Sequence, residues 1–182
     1  MEINYLIDQF NNFKKSMFRL ELLNSYDVEG DRERFQAYLN GEKIEKYPFD
    51  DWLNMLDQFK SRGAICNRVH VVDTPLSNYL NYEIEWGYRL SEKHGEKIYL
   101  IDRKDYKNLI SNLNLTPKEH WLFDDSVIIY MEYDNNGNFI KDDIEVDENV
   151  FQEYVNLKNK LLSSAEELET FLKNRKIKLS RS

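Results

Sequence analysis

The chain has 182 residues, 41% hydrophobic and 14% aromatic, with a formal net charge of −8. That length and composition fit one globular domain and exclude a disordered chain. No apolar run approaches the ~18 residues a membrane span needs, and the lone Cys66 excludes an internal disulfide and suits a reducing cytosol.

Residues 3–15 place Ile3, Leu6, Ile7, Phe10 and Phe13 at helical spacing. This start, MEINYLIDQFNNFKK, is acidic and amphipathic, unlike a secretory leader, so a cytoplasmic protein is expected. Met17 to Leu23 alternates, with Phe18, Leu20 and Leu22 opposite Arg19 and Glu21, and reads as a strand with one polar face. Glu29 to Leu39 reads as a helix closed by Asn40-Gly41. Pro48 opens another helix, to Arg62 and Gly63, with an apolar stripe at Trp52, Leu53, Leu56 and Phe59.

Ile65 to Val72 is β-branched and reads as a strand, although Arg68 and His70 lie inside it. Thr74-Pro75 fits an N-cap followed by proline at the first helical position, opening a helix to Lys93 that ends at His94-Gly95. Glu96 to Ile101 is a short strand and Asp102 to Asn112 a helix. Thr116-Pro117-Lys118-Glu119 matches a one-turn helix with a capping box.

Trp121 to Tyr133 reads as one long strand with an acidic interruption at Asp124-Asp125. Asn135-Asn136-Gly137-Asn138 is a hairpin turn, because Asn-Gly tolerates positive φ, and Phe139 to Val146 returns. The spacing of Asp134, Asn136, Asn138, Asp142 and Glu145 resembles a calcium loop, but Phe139 stands where the sharp turn needs glycine, so the hairpin is preferred. Asp147 caps a final helical region, and Ser164-Ala165-Glu166-Glu167 offers a second capping box, so two helices meet near Ser163. The fold class is therefore α+β: one domain with a central mixed or antiparallel sheet, a core over 1–147, and C-terminal helices with a basic tail over 148–182 packed on it.

Strands that bury arginine and histidine must give them partners, because an unpaired buried charge is costly. If the two polar strands pair, Arg19 and Glu21 meet Arg68 and His70 in one cluster, with Tyr79 and Glu83 a helical turn apart above it. Asp124 and Asp125 end an apolar run, where site residues often emerge. Such a group suits acid–base chemistry on a phosphodiester, with His70, Arg68 and Glu83 as the catalytic candidates. It equally suits a structural ion-pair network that fixes strand register. No phosphate loop, zincin helix, paired cysteines or nucleophile elbow is present, and no metal or cofactor is expected.

The charge is uneven. The last ten residues, KNRKIKLSRS, hold five basic groups and no acids, so residues 1–172 carry −13. An acidic body repels free nucleic acid, so free DNA binding is not expected, but it complements a basic protein groove built to hold RNA or DNA. The acids of the second hairpin, Asp142, Asp143 and Glu145 among them, are the candidates for mimicking a phosphate backbone there.

Two resemblances add to this reading. Phe18-Arg19-Leu20-Glu21, Arg68-Val69-His70-Val71-Val72, Pro75-Leu76-Ser77-Asn78-Tyr79, Glu83, Gly95-Glu96-Lys97-Ile98 and Trp121-Leu122-Phe123-Asp124-Asp125 follow, in order, the pattern of an uncharacterised bacterial family. That family is common in actinobacteria and often encoded near helix-turn-helix regulators; it has Phe where this chain has His120. In length, acidity and Tyr/Asn/Lys usage the whole chain resembles type II-A anti-CRISPR proteins of streptococcal mobile elements. This resemblance implies an inhibitor that binds the RNA-guided effector nuclease with its guide RNA and inactivates the guide by truncation or displacement. Arg19, Glu21, Tyr79, Asp124, Asp125, Asp142, Asp143 and Glu145 are then the candidate binding residues. The alternatives are a regulatory module that partners a helix-turn-helix protein and a small ribonuclease, which the net acidity disfavours.

Overall fold

The computed structural model describes residues 5–111, 113 and 115–179; Ile3, Asn112 and the last three residues of the basic tail lie outside them. In chain order the elements are α1 (Tyr5–Asn12), β1 (Ser16–Glu21), α2 (Glu29–Leu39), a 3-10 turn (Ile44–Lys46), α3 (Asp50–Ser61) and β2 (Ile65–Val72). A continuous rod follows: α4 (Asn78–Glu83), a π-helical turn (Ile84–Tyr88) and α5 (Arg89–Lys93). The rest is β3 (Glu96–Asp102), α6 (Arg103–Ile110), β4 (His120–Phe123), β5 (Val127–Tyr133), β6 (Phe139–Ile144), α7 (Glu148–Ser164), β7 (Glu166–Glu167) and α8 (Leu168–Asn174).

The strands form one mixed seven-stranded sheet, in the order β6-β5-β4-β1-β2-β3-β7. The central pairs β1–β2 and β2–β3 are parallel and the flanking pairs antiparallel. The fold is thus α+β, one domain around one sheet. Parallel neighbours require long crossovers, and these are supplied by α2–α3 and by the α4–α5 rod.

Alternation along the strands divides the side chains between two faces. One face is apolar except at His120: Phe18, Leu20, Val69, Val71, Leu122 and Ile128 pack against Tyr106 of α6 and Tyr154, Leu157 and Leu161 of α7. The other face is apolar only at its ends. Met17, Cys66 and Phe123 meet Leu56 and Phe59 of α3 at one end. Val72, Ile98 and Leu100 meet Leu80, Ile84, Phe171 and Leu172 at the other. Between them lies a polar strip.

Several local expectations are corrected by the packing. The helix after β2 starts at Asn78, not at Pro75, because Ser77 is the cap: its Oγ accepts from Leu80 N at 3.0 Å. Likewise α3 begins at Asp50, two residues after Pro48. Residues 116–119 form no helix, because the Glu119 carboxylate turns inward to Arg19, Tyr26 and Leu22 N. The long strand over 121–133 is two strands, since Asp124 and Asp125 turn the chain at φ 51° and 57°. At the second expected capping box, residues 166–167 pair with β3 as β7, and α8 has no side-chain cap.

The 134–138 hairpin is as expected, held by Asp134, which accepts from Asn136 N and Asn138 N. Gly137 there has φ +84°, and a Cβ would lie 2.6 Å from Ser25 O, so the turn docks on the 25–27 loop only as glycine. Asp147 caps α7 by accepting from Asn149 N at 2.9 Å.

His120 is fully buried on the apolar face against the Tyr154 ring at 4.6 Å, with Nδ1 donating to Lys118 O. Burial above all, with Arg19 adding to it against the Lys118 hydrogen bond, pushes its pKa down to about 3. An unfolded histidine titrates near 6.5, so this contribution is complete above that value and is lost as pH falls toward the folded value. His120→Phe should leave stability near pH 7.5 little changed. At pH 5 it should exceed the native chain by about 2 kcal/mol, read from urea unfolding at both pH values.

Candidate functional site

The polar strip is built by register. Arg19 and Arg68 are direct partners across β1–β2, as are Glu21 and His70 one step on. Two guanidinium groups side by side would repel, and carboxylates separate them. Glu119 meets Arg19 at 2.9 Å, Glu21 meets Arg19 at 3.5 Å and Arg68 at 2.6 Å, and Glu96 meets Arg68 at 2.9 Å. The result is a buried ladder, Glu119–Arg19–Glu21–Arg68–Glu96, crossing β1, β2 and β3 from the residue before β4. The Trp121 ring lies 5.4 Å from one guanidinium and 5.5 Å from the other.

For Arg19, Glu21 and Glu96 burial opposes the charge, and the balance with pairing differs from group to group. For Arg19, the negative surroundings, Glu119 and Glu21 among them, outweigh burial and hold the pKa above the ordinary arginine value. Glu21 is buried too, yet Arg68, His70 and Arg19 hold its carboxylate far below the usual range. Glu83 is raised well above it, by burial first and then by Glu21 nearby. Glu96 is raised by burial, with Arg68 opposing.

The π turn supplies the centre of the second half of the site. It puts Glu83 and Tyr88, five residues apart, on one side of the rod. The Tyr88 hydroxyl lies 2.6 Å from His70 Nδ1, 2.6 Å from Glu21 Oε2 and 3.2 Å from Glu83 Oε2. His70 Nε2 lies 2.6 Å from Leu23 O, so that nitrogen carries a proton. Burial lowers the His70 pKa, and Glu21 opposes the shift.

Glu21, His70 and Glu83 are also the one group among the described residues whose ligand atoms, all within 4.8 Å of one another, suit a metal. A cation there would displace the Tyr88 hydroxyl and stand beside the Arg68 guanidinium, which already neutralises Glu21. The donor set fits a hydrogen-bonded, ion-paired cluster better than a metal centre.

A cavity of about 300 Å³ opens over the ladder. Arg19, Arg68, Glu21, Glu83 and Tyr88 line its floor, and Phe10, Phe49, Trp52, Tyr82, Trp121 and Tyr133 line its walls. His70 is not among the lining residues; it is fully buried, with the Tyr88 ring 6.0 Å away.

The structure therefore joins Arg19, Glu21, Arg68, His70 and Glu83 in one site. Tyr79 stands apart, in the aromatic cluster with Tyr26 and Tyr82, its hydroxyl on Asp31 at 3.3 Å. Asp124 and Asp125 lie beyond the other end of β1. Asp124 accepts from Lys14, Lys15 and Ser16 N, and Asp125 pairs with Lys158. Asp142 accepts from Leu6 N and Glu145 from the Tyr130 hydroxyl, both on the outer hairpin with Asp143. Sequence reasoning missed Tyr88, Glu96, Glu119 and Arg34. The run of Tyr88 five residues after Glu83 had no helical meaning without the π turn, and Glu119 was read as a cap.

Fold and site define a single α+β domain with an arginine–carboxylate ladder beneath an aromatic-walled cavity. The chain belongs to the family described as "Domain of unknown function (DUF6879)", which matches residues 5–173. Among solved structures it is similar to a phospholipase D family member, Nuc from Salmonella typhimurium, at 8% identity and a TM-score of 0.49, over 89% of this chain and 87% of that one. That likeness is too low to bear on function. No curated protein matches. No helix among the described residues is long and apolar enough to cross a membrane.

Glu119→Ala should cost about 3–5 kcal/mol, because it leaves Arg19 buried beside a lost partner and strips acceptors from Leu22 N and Tyr26. Glu119→Gln, which keeps one acceptor oxygen but loses the other and the charge, should fall between; urea unfolding at pH 7 measures both.

Proposed function

We propose that this protein inhibits a type II-A CRISPR effector nuclease by docking its acidic body in the basic channel that holds the guide and target strands. Bound there, it inactivates the guide RNA, by truncation or displacement, and target DNA stays intact. The reading rests on the whole-chain resemblance, and one observation supports its physical side. The outer hairpin presents Glu132 and Asp143 exposed beside exposed Phe139 (47%), Ile140 (54%) and Val146 (80%), and no further strand pairs with β6 among the described residues. Acids with apolar neighbours are what a cationic, partly apolar protein groove recognises, and the effector channel is built for an anionic heteroduplex. Effector and guide both reside in the bacterial cytoplasm, so this reading places the protein there.

The experiment incubates the purified protein with effector, guide RNA and target DNA, with effector-free controls, and follows both nucleic acids on a denaturing gel. Loss of DNA cleavage with a guide altered only when effector is present is the expected result; untouched DNA cleavage would sink the reading. Replacing Glu132 and Asp143 together by lysine should raise the concentration for half-inhibition at least about tenfold at low salt, and by less at high salt, where screening already weakens the docking.

A further inference from the structure

The body of the chain is acidic, yet the surface beside α8 is basic. Two open cavities, of about 590 and 310 Å³, share the segment Lys176-Ile177-Lys178, which lines both. The larger lies at the carboxyl ends of β2 and β3, where Thr74 and Asp102 line it. Together the two linings hold five basic side chains and two acids. Each acid is taken by an arginine: Asp102 meets Arg175 Nε at 2.6 Å, and Glu169 meets Arg89 Nε at 2.7 Å. Lys173, Lys176 and Lys178 are left, exposed and without a carboxylate partner among the described residues.

The backbone fixes where these lysines stand. Lys176 N donates to Lys173 O and Ile177 N to Leu172 O, the paired bonds that close a helix end. The residue between them takes left-handed backbone, and Lys176 has φ 53°. Glycine fits that position without cost, so a lysine stands there against local preference, and such departures point to function. The helix C-terminus favours positive charge, but Lys173 and Arg175 already supply it. Ile177 and Leu179 then pack with Leu80, Phe171 and Leu172, which anchors the segment while Lys178 between them faces out.

Three unpaired ammonium groups on a narrow groove call for a thin polyanion. A duplex or an anionic membrane presents a broad face and would meet the acidic exterior beyond the patch, whereas a single strand can lie in the groove alone. The other lining side chains are small polar or aliphatic, with no aromatic ring among them, so they suit phosphate and sugar and offer bases no stacking platform.

We propose that the groove along Lys176-Ile177-Lys178 binds a single-stranded nucleic acid through its phosphodiester backbone, with Lys173, Lys176 and Lys178 on the phosphates. The acidic remainder of the surface confines the strand to this groove and keeps the affinity modest. The inference stands without the effector reading, and its test contains no effector.

The purified protein is titrated into a fluorescein-labelled single strand of about ten nucleotides, as RNA and as DNA, and followed by anisotropy at low salt. Saturable binding of both strands is expected, weakening with salt at a logarithmic slope of about −2 for three phosphates. Replacing Lys173, Lys176 and Lys178 together by glutamine should weaken binding at least about tenfold. Lys176→Gly separates binding from folding: affinity falls at least about threefold while the urea midpoint stays the same or rises, because glycine suits the helix end. No saturable binding of either strand, or binding untouched by these replacements, overturns the proposal. So does tighter binding of a duplex of the same sequence or of a phosphatidylserine vesicle. Displacement of the strand by an equimolar glutamate-rich peptide overturns it too, and would assign the groove to an acidic protein.

Discussion

Placing Arg19 and Arg68 side by side at the centre of the sheet is the constraint from which the rest of this face follows. Two buried like charges at a register pair are untenable alone. They are stable here because carboxylates alternate with them along the ladder, each arriving from a different element: Glu21 from β1, Glu96 from β3 and Glu119 from the approach to β4. The ladder in turn fixes register. A one-residue slip of β1 against β2 would send Arg19 and Glu21 to the apolar face, among Val69, Val71 and Leu157.

The ladder also explains why this face carries a cavity. On the apolar face, α6 and α7 close directly on aliphatic side chains. Over the ladder, the covering helices bring aromatic rings and a tyrosine hydroxyl, and these rigid shapes leave space above the guanidinium groups. The π turn is the local device that makes the arrangement possible. It widens the rod by one residue per turn and so aims Tyr88 at Glu21 and His70 while Ile84 still packs on Ile98 and Leu100.

Charge is distributed on two scales, and they serve different ends. The exterior is acidic, which suits contact with a basic protein surface and disfavours capture of free nucleic acid. The interior balances arginines against carboxylates, with Glu83 and Glu96 shifted toward neutrality by burial, so the site holds donors and protons without a large net field.

Much was legible in the sequence by itself. Alternation at Phe18-Arg19-Leu20-Glu21 and through Arg68-Val69-His70 announced polar residues facing one way along two strands, and that period-2 placement is local geometry. The helix Glu29–Leu39, the strand Ile65–Val72, the Asn-Gly hairpin and the Asp147 cap were readable for the same reason: each is set by residues adjacent in the chain. What the tertiary structure decided is everything that depends on what lies opposite. Parallel pairing put Arg19 beside Arg68; a π turn, which has no sequence period of its own, chose Tyr88 over Tyr79; and Glu119 became an internal carboxylate and not a cap because Arg19, 2.9 Å away in space and a hundred residues away in sequence, needed a partner more than a helix end did.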